Sequence, residues 1–183
     1  MDKELKAFQH VNLSPADLHK GSGFAVQSLI HPYRLQCYRW WIDEDDEELT
    51  VQQLSEQRSV IAKTNALIYR WLDDRRDKGI AIPPEQEALA LLTLYVSLNL
   101  TIRPKDFGDR VERRAQHLLT LLPDSKLRTH LMVHLATDTQ NTQLLQEART
   151  AISRWRDTEL TPEDHSLQQF LLLTAPPTDI RSN

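Results

Sequence analysis

His130 and His134 stand four residues apart, so on a helix both imidazoles leave the same face. Two imidazoles at that spacing can share a zinc ion. The catalytic form of the pattern needs a glutamate directly after the first histidine, and Leu131 occupies that position. A third ligand would have to come from His117 or Asp138. The plainer reading is that the two histidines flank a core stripe of Leu127, Leu131 and Leu135, and it is the one adopted: no metal and no cofactor is expected. His10, His19, His31 and Cys37 crowd the first fifth of the chain. Mixed His and Cys can bind metal or make an activated thiolate, but no tight ligand pair occurs. A lone Cys beside aromatic residues reads as a small buried hydrophobe.

Basic residues gather at Arg103, Lys105, Arg110, Arg113 and Arg114. On a helix, Arg103, Arg110 and Arg114 fall near one face, as phosphate binding would require. Asp106, Asp109 and Glu112 are interleaved with them, which suggests salt-bridged exposure instead. This helix carries the alternative reading of the chain, a helical nucleic-acid-binding subunit that uses Arg103, Arg110, Arg113 and Arg114. No phosphate-cradling glycine loop, no G-x-S-x-G and no Ser/His/Asp grouping can be picked out. The chain is therefore read as non-enzymatic, with no small-molecule substrate evident.

A third cluster is aromatic. Trp40 and Trp41 are adjacent and point about 100° apart on a helix, so one can be buried while the other reaches the surface. Exposed Trp, Tyr and Arg are favoured interface anchors. Tyr33, Arg34, Tyr38, Arg39, Trp40 and Trp41 form the expected partner-binding patch. The competing reading is that they seal the N-terminal segment onto the helices.

The elements that must position these residues read as helices throughout. Ser14-Pro15 opens a first helix and Pro32 a second through Trp41, followed by the acidic run Asp43 to Glu48 as a solvated link. Thr50 with Gln53 forms a capping box, and the long helix after it buries Leu54, Ile61, Ile68 and Leu72. Gly79 ends it at C′. Residues 84 to 100 are apolar on nearly all sides, which predicts a central helix. Pro104 starts the next, with Phe107, Val111, Ala115, Leu118 and Leu122 as its buried stripe. Ser125 caps a helix to Ala136. Residues 137–142 form a polar linker before a helix with Leu144, Leu145, Ala148, Ile152 and Trp155 on one side. Thr161-Pro162-Glu163-Asp164 opens the last helix. No alternating stretch supports a strand.

The chain also echoes itself. Ile68, Arg70, Trp71 and Asp73 read I-x-R-W-x-D, as do Ile152, Arg154, Trp155 and Asp157. Each copy is followed by P-E-x-x-x-L, at Pro84, Glu85 and Leu89 and at Pro162, Glu163 and Leu167. A helix ending in R-W, a turn, and a new helix starting at proline would be one α-hairpin used twice. Stacked hairpins offer long surfaces to partners.

Composition agrees with a soluble helical domain. The chain has 183 residues, 40% apolar and 26% charged, with 4 glycines. So few glycines disfavour a many-stranded fold, whose turns need positive φ. The net charge of −4 gives no overall pull toward nucleic acid or anionic membrane. One cysteine rules out a disulfide within the chain and fits a reducing compartment. The first ten residues lack the apolar core of a signal peptide, and the longest apolar stretch, Ala88 to Leu100, is too short to span a bilayer. A cytoplasmic location is expected, with no membrane insertion.

Phe24, Ser28, Ile30, His31, Pro32, Arg34, Leu35 and Gln36 form F-x-x-x-S-x-I-H-P-x-R-L-Q. This stretch resembles one near the N-terminus of the SctK-type accessory proteins of bacterial type III secretion sorting platforms. Ala25-Val26 stands where that family usually has Asp-Pro. The resemblance implies a cytosolic, mainly helical, non-enzymatic protein that links parts of a secretion assembly, with His31, Pro32, Arg34 and Leu35 as structural or interface residues.

The expectation is thus an all-α chain of packed antiparallel α-hairpins, as a bundle or short α-solenoid of about seven or eight helices. It comprises an N-terminal helical segment 1–48, a hairpin core 49–175 and a disordered tail 176–183. The expected function is that of a non-enzymatic adaptor or scaffold that binds protein partners as an accessory subunit of a bacterial secretion assembly.

Overall fold

The computed structural model describes residues 30–31, 33–37, 50–98 and 103–173. The protein is all-α, and no strand occurs among the described residues. It divides into two compact units, 1–121 and 122–183. That division falls inside the 49–175 segment expected to form one core, just before the helix-stopping Pro123.

In the first unit, residues 30, 31 and 33–37 are helical. Helix α1 spans Val51–Asp77 and α2 spans Pro84–Leu98. Thr50 caps α1 as expected: its hydroxyl accepts from Gln53 N at 3.3 Å, and Gln53 Oε1 accepts from Thr50 N at 2.9 Å. At the other end Gly79 adopts φ 63°, and Ile80 N donates to Arg75 O at 2.9 Å. Together they make a Schellman turn that only a residue tolerant of the left-handed region completes without strain. The buried stripe of α1 is Gln57, Ile61, Thr64, Ile68 and Trp71. The expected stripe named Leu54 and Leu72, which are only half-buried. The seam is therefore rotated so that the large indole of Trp71 points inward, with those two leucines at its margins.

Helix α2 is central, as its composition predicts. Ala88, Ala90, Leu91, Leu92, Leu94, Tyr95 and Val96 are all buried. Its interior polar groups are bonded within the helix: Thr93 Oγ1 donates to Leu89 O at 2.7 Å and Ser97 Oγ to Leu94 O at 2.9 Å. The chain then makes one π-helical turn, Gly108–Glu112, running directly into α3, Arg113–Leu121. The expected stripe Phe107, Val111, Ala115, Leu118 and Leu122 is buried throughout. Two successive four-residue steps would drift around an ideal 3.6-residue helix. The wider i→i+5 turn takes up that drift and keeps Phe107, Val111 and Ala115 facing inward.

In the second unit, α4 spans Lys126–Asp138, α5 Thr142–Ile152 and α6 Pro162–Leu173, with a 3-10 turn at Asp157–Glu159 before α6. Ser125 caps α4, accepting from Arg128 N at 3.2 Å. The connection to α5 is shorter than the expected linker. Gln140 takes φ 54°, Asn141 N closes the Schellman bond to Ala136 O at 2.8 Å, and Asn141 Oδ1 caps α5 by accepting from Leu144 N at 3.0 Å.

The sequence echo is not a structural repeat. Ile68 and Ile152 are both buried, and Pro84 and Pro162 both open helices. Trp71, however, lies inside α1, six residues before its end, whereas Trp155 lies beyond the end of α5. Among the described residues no helix is long and apolar enough to cross a membrane.

Candidate functional site

The three clusters singled out by residue type can each be located. The arginines come first. Arg103 Nη2 meets Glu112 Oε1 at 2.8 Å, and its guanidinium lies 4.6 Å from the Phe107 ring centroid. Arg110 pairs with Asp73 and, at 3.1 Å, with Asp106, and it sits 4.5 Å over the Tyr69 ring. Arg113 pairs with Asp109 at 2.9 Å. Arg114 grips Glu87 with two nitrogens, Nε at 2.5 Å and Nη2 at 2.7 Å. Its pKa is raised, chiefly by the hydrogen bond to Glu87, which outweighs partial desolvation. Every arginine of the alternative nucleic-acid face is therefore already neutralised by a carboxylate. Two of those carboxylates, Glu87 and Asp73, come from α2 and α1, so the pairs tie three helices of the first unit together. A face built this way has little charge left for phosphates.

The N-terminal cluster is partly inside. Tyr33 is fully buried and Arg34 is 6% exposed, so neither is available as an exposed interface anchor in this chain. Tyr33 Oη donates to Asn65 Oδ1 at 2.9 Å, and Asn65 Nδ2 donates to Ser97 Oγ at 2.9 Å. This relay joins the N-terminal helical residues to α1 and α2. Cys37 is buried, and burial pushes its thiol up to about 12, against a smaller lowering by the Tyr33 hydroxyl. It stays a protonated thiol, a packing group rather than a nucleophile. Tyr38, Arg39, Trp40 and Trp41 lie outside the described residues, as do His10, His19 and the tail 176–183.

Among the described residues of the second unit, His130 of α4 belongs to a polar cluster. His130 Nε2 is 2.7 Å from Asp164 Oδ1 on α6. Asp164 Oδ2 accepts from Lys126 Nζ at 3.0 Å and from Thr161 N at 2.9 Å. Lys126 Nζ also reaches Glu159 O. Trp155 lies alongside, its ring stacked on His130 at 5.8 Å between centroids and beneath the Lys126 ammonium at 5.6 Å. Burial by itself would raise the Asp164 pKa, but hydrogen bonds from His130, Thr161 N and Lys126 together hold it well below the usual carboxylate range. His134, one turn on, is also shifted down, but for a different reason. Its Nε2 is closed off from solvent, and desolvation, with a smaller push from His130, lowers its pKa to about 3.

This arrangement orients a histidine by a carboxylate, as a general base requires. His130 and Asp164 are only 5% and 3% exposed, however, so a reacting atom has no approach. Among the described residues no three His, Cys, Asp or Glu side chains gather to hold a metal ion. His117 is exposed. The cluster joins helices. Sequence reasoning found His130 but not its partner Asp164, 34 residues away. The available signal was Thr161-Pro162-Glu163-Asp164, whose acidic N3 position can serve the helix cap and a neighbouring cation together.

No family model and no curated protein matches the chain. Among solved structures, its fold is similar to that of the transcription anti-terminator antagonist UpxZ from Bacteroides uniformis ATCC 8492, with a TM-score of 0.57. The identity is 16%, and the match covers 84% of this chain and 99% of that one. At such identity the likeness is one of fold. It corrects the resemblance to SctK-type secretion proteins read from residues 24–36: the fold is similar to that of UpxZ, and Tyr33 and Arg34 in that stretch are interior residues of the first unit.

Proposed function

We propose that this chain acts without catalysis, by binding a protein, and that it antagonises a regulator of transcription antitermination. The observation that supports this reading is the fold likeness extending over 99% of the chain of UpxZ, an anti-terminator antagonist. Two further observations support it over its rivals. The arginines proposed for nucleic acid are paired with carboxylates, and the histidine–aspartate pair is closed to substrates.

The contact surface we propose is the stretch Tyr38, Arg39, Trp40 and Trp41, by residue type. Large aromatic and arginine side chains supply most hot-spot energy in protein interfaces. The assay is antiterminator-dependent transcription through a terminator, reconstituted with the host's own antiterminator. Adding the chain should reduce read-through in a saturable way, and Trp40→Ala with Trp41→Ala should abolish that effect. Read-through unchanged at saturating protein would rule out antagonism.

A further inference from the structure

The two copies of I-x-R-W-x-D diverge at their tryptophans. In the first, Trp71 is 4% exposed and lies inside α1. In the second, Trp155 lies past the end of α5, half-buried, on the connection 153–161 that leads to α6. Arg154 and Arg156 flank it, and both are exposed. Among the described residues neither guanidinium has an ion pair or a hydrogen bond, in contrast to Arg103, Arg110, Arg113 and Arg114. Glu159, the described carboxylate of this connection, is exposed and joined to neither arginine. Asp164 is buried and taken up by His130 and Lys126. The connection itself is braced. Arg154 N donates to Ala151 O at 3.2 Å, Trp155 N to Ile152 O at 3.0 Å and Glu159 N to Arg156 O at 3.0 Å, while Lys126 Nζ donates to Glu159 O. The Trp155 ring packs against His130 and Lys126 of α4.

We propose that Arg154 and Arg156, carried on this braced connection around Trp155, dock a short acidic segment of a protein partner. A guanidinium can grip a carboxylate with two nitrogens, as Arg114 grips Glu87 within the fold. Tryptophan and arginine are also the side chains that dominate protein interfaces. A connection already bonded in one conformation loses little freedom on binding. Polyanions fit the place less well. Nucleic acid engages several phosphates at once, and here it would meet two free guanidiniums on a chain of net charge −4. That net charge repels an extended polyanion. A short segment feels chiefly the charges within about 8 Å, the screening length in physiological salt. The inference rests on the reading that this chain binds a protein, and it names the chemistry of the part that meets the second unit. It does not depend on that partner's role in transcription.

Fluorescence anisotropy with a labelled glutamate-rich peptide, and with its glutamine counterpart, tests it at physiological salt. Binding of the glutamate peptide to the chain should saturate, and the glutamine peptide should not bind. Arg154→Ala with Arg156→Ala should weaken the affinity roughly tenfold, the scale of two exposed charge pairs. Arg58→Ala with Arg70→Ala removes the same charge from exposed positions of α1 and should leave the affinity nearly unchanged. No saturable binding of the glutamate peptide, equal losses in the two double variants, or no loss in either would overturn the proposal. So would tighter binding of single-stranded DNA or of phosphatidylserine vesicles through the same two arginines, which would make this a phosphate site. Thermal unfolding checks that the variants fold, and Arg154→Gln with Arg156→Gln replaces the alanine pair if they do not. No transcription enters this assay. Its failure would leave the antagonist reading standing, and a failure of antagonism would leave the peptide result intact.

Discussion

Asp164 Oδ1 lies 2.7 Å from His130 Nε2 while its Oδ2 lies 3.0 Å from Lys126 Nζ, so one carboxylate of α6 is bonded to two residues one turn apart on α4. The same side chain belongs to the cap of its own helix, since Thr161 N donates to it and Asp164 N donates back to Thr161 Oγ1 at 3.2 Å. A single residue thus helps cap the start of one helix and docks it on another. Asp164→Asn should lower the stability of the second unit by about 2 kcal/mol, the scale of hydrogen bonds to charged groups. Chemical denaturation at neutral pH measures it, and an effect below about 0.5 kcal/mol would show that the contacts are dispensable.

Acid should destabilise the second unit in two stages. His134 has its folded pKa lowered to about 3 from an ordinary 6.5. The unfolded chain therefore takes up that proton first. The stability this provides is complete above about pH 6.5 and is lost as pH falls toward 3. Asp164, whose folded pKa is also depressed, contributes stability that is present above the ordinary Asp value and is lost further down in acid. Denaturation midpoints between about pH 7 and pH 4 should fall, and His134→Gln should flatten that slope. An unchanged slope in the variant would place the acid sensitivity elsewhere.

Gln140 adopts φ 54° at the exposed C′ position after α4. The left-handed region costs a residue with a Cβ about 1 kcal/mol relative to glycine. Gln140→Gly should raise stability by roughly 0.5–1 kcal/mol, read as a higher thermal midpoint. A lower midpoint would mean that the Gln140 side chain contributes more than its backbone costs.

Glu87 is 5% exposed and is held by both nitrogens of the Arg114 fork. Arg114→Met leaves that carboxylate buried without its partner, at a cost of about 3 kcal/mol. Glu87→Gln combined with Arg114→Met should recover much of the loss. A double-mutant cycle on the first unit's unfolding gives the coupling, and additive losses would contradict the pairing. The same pairing predicts that Arg110→Ala with Arg114→Ala will show no steep salt-dependent loss of nucleic-acid binding.

Much of the fold could be read from local signals. The caps at Thr50, Ser125 and Thr161, the glycine at 79 and the Phe107-to-Leu122 stripe each depend on residues within one or two turns, and the structure bears them out. What stayed hidden depends on packing or on distance along the chain. The face of α1 is set by where Trp71 fits, which rotates the seam away from Leu54 and Leu72. Gln140 carries no sign that it will occupy a glycine-like conformation. Trp155 shares a motif with Trp71 but falls beyond its helix. The carboxylates that neutralise Arg110 and Arg114 sit 37 and 27 residues away, so the basic helix looked freer in sequence than it is in space.

The most direct test of the central claim is capture by the tagged chain from its native host, washed at low and high salt, with the bound species identified by mass and its stoichiometry fixed by light scattering. The account predicts a defined complex with an antiterminator that persists at high salt and is lost on Trp40→Ala with Arg39→Ala. Nucleic acid that leaves as salt rises, or no stoichiometric protein partner at all, would contradict it.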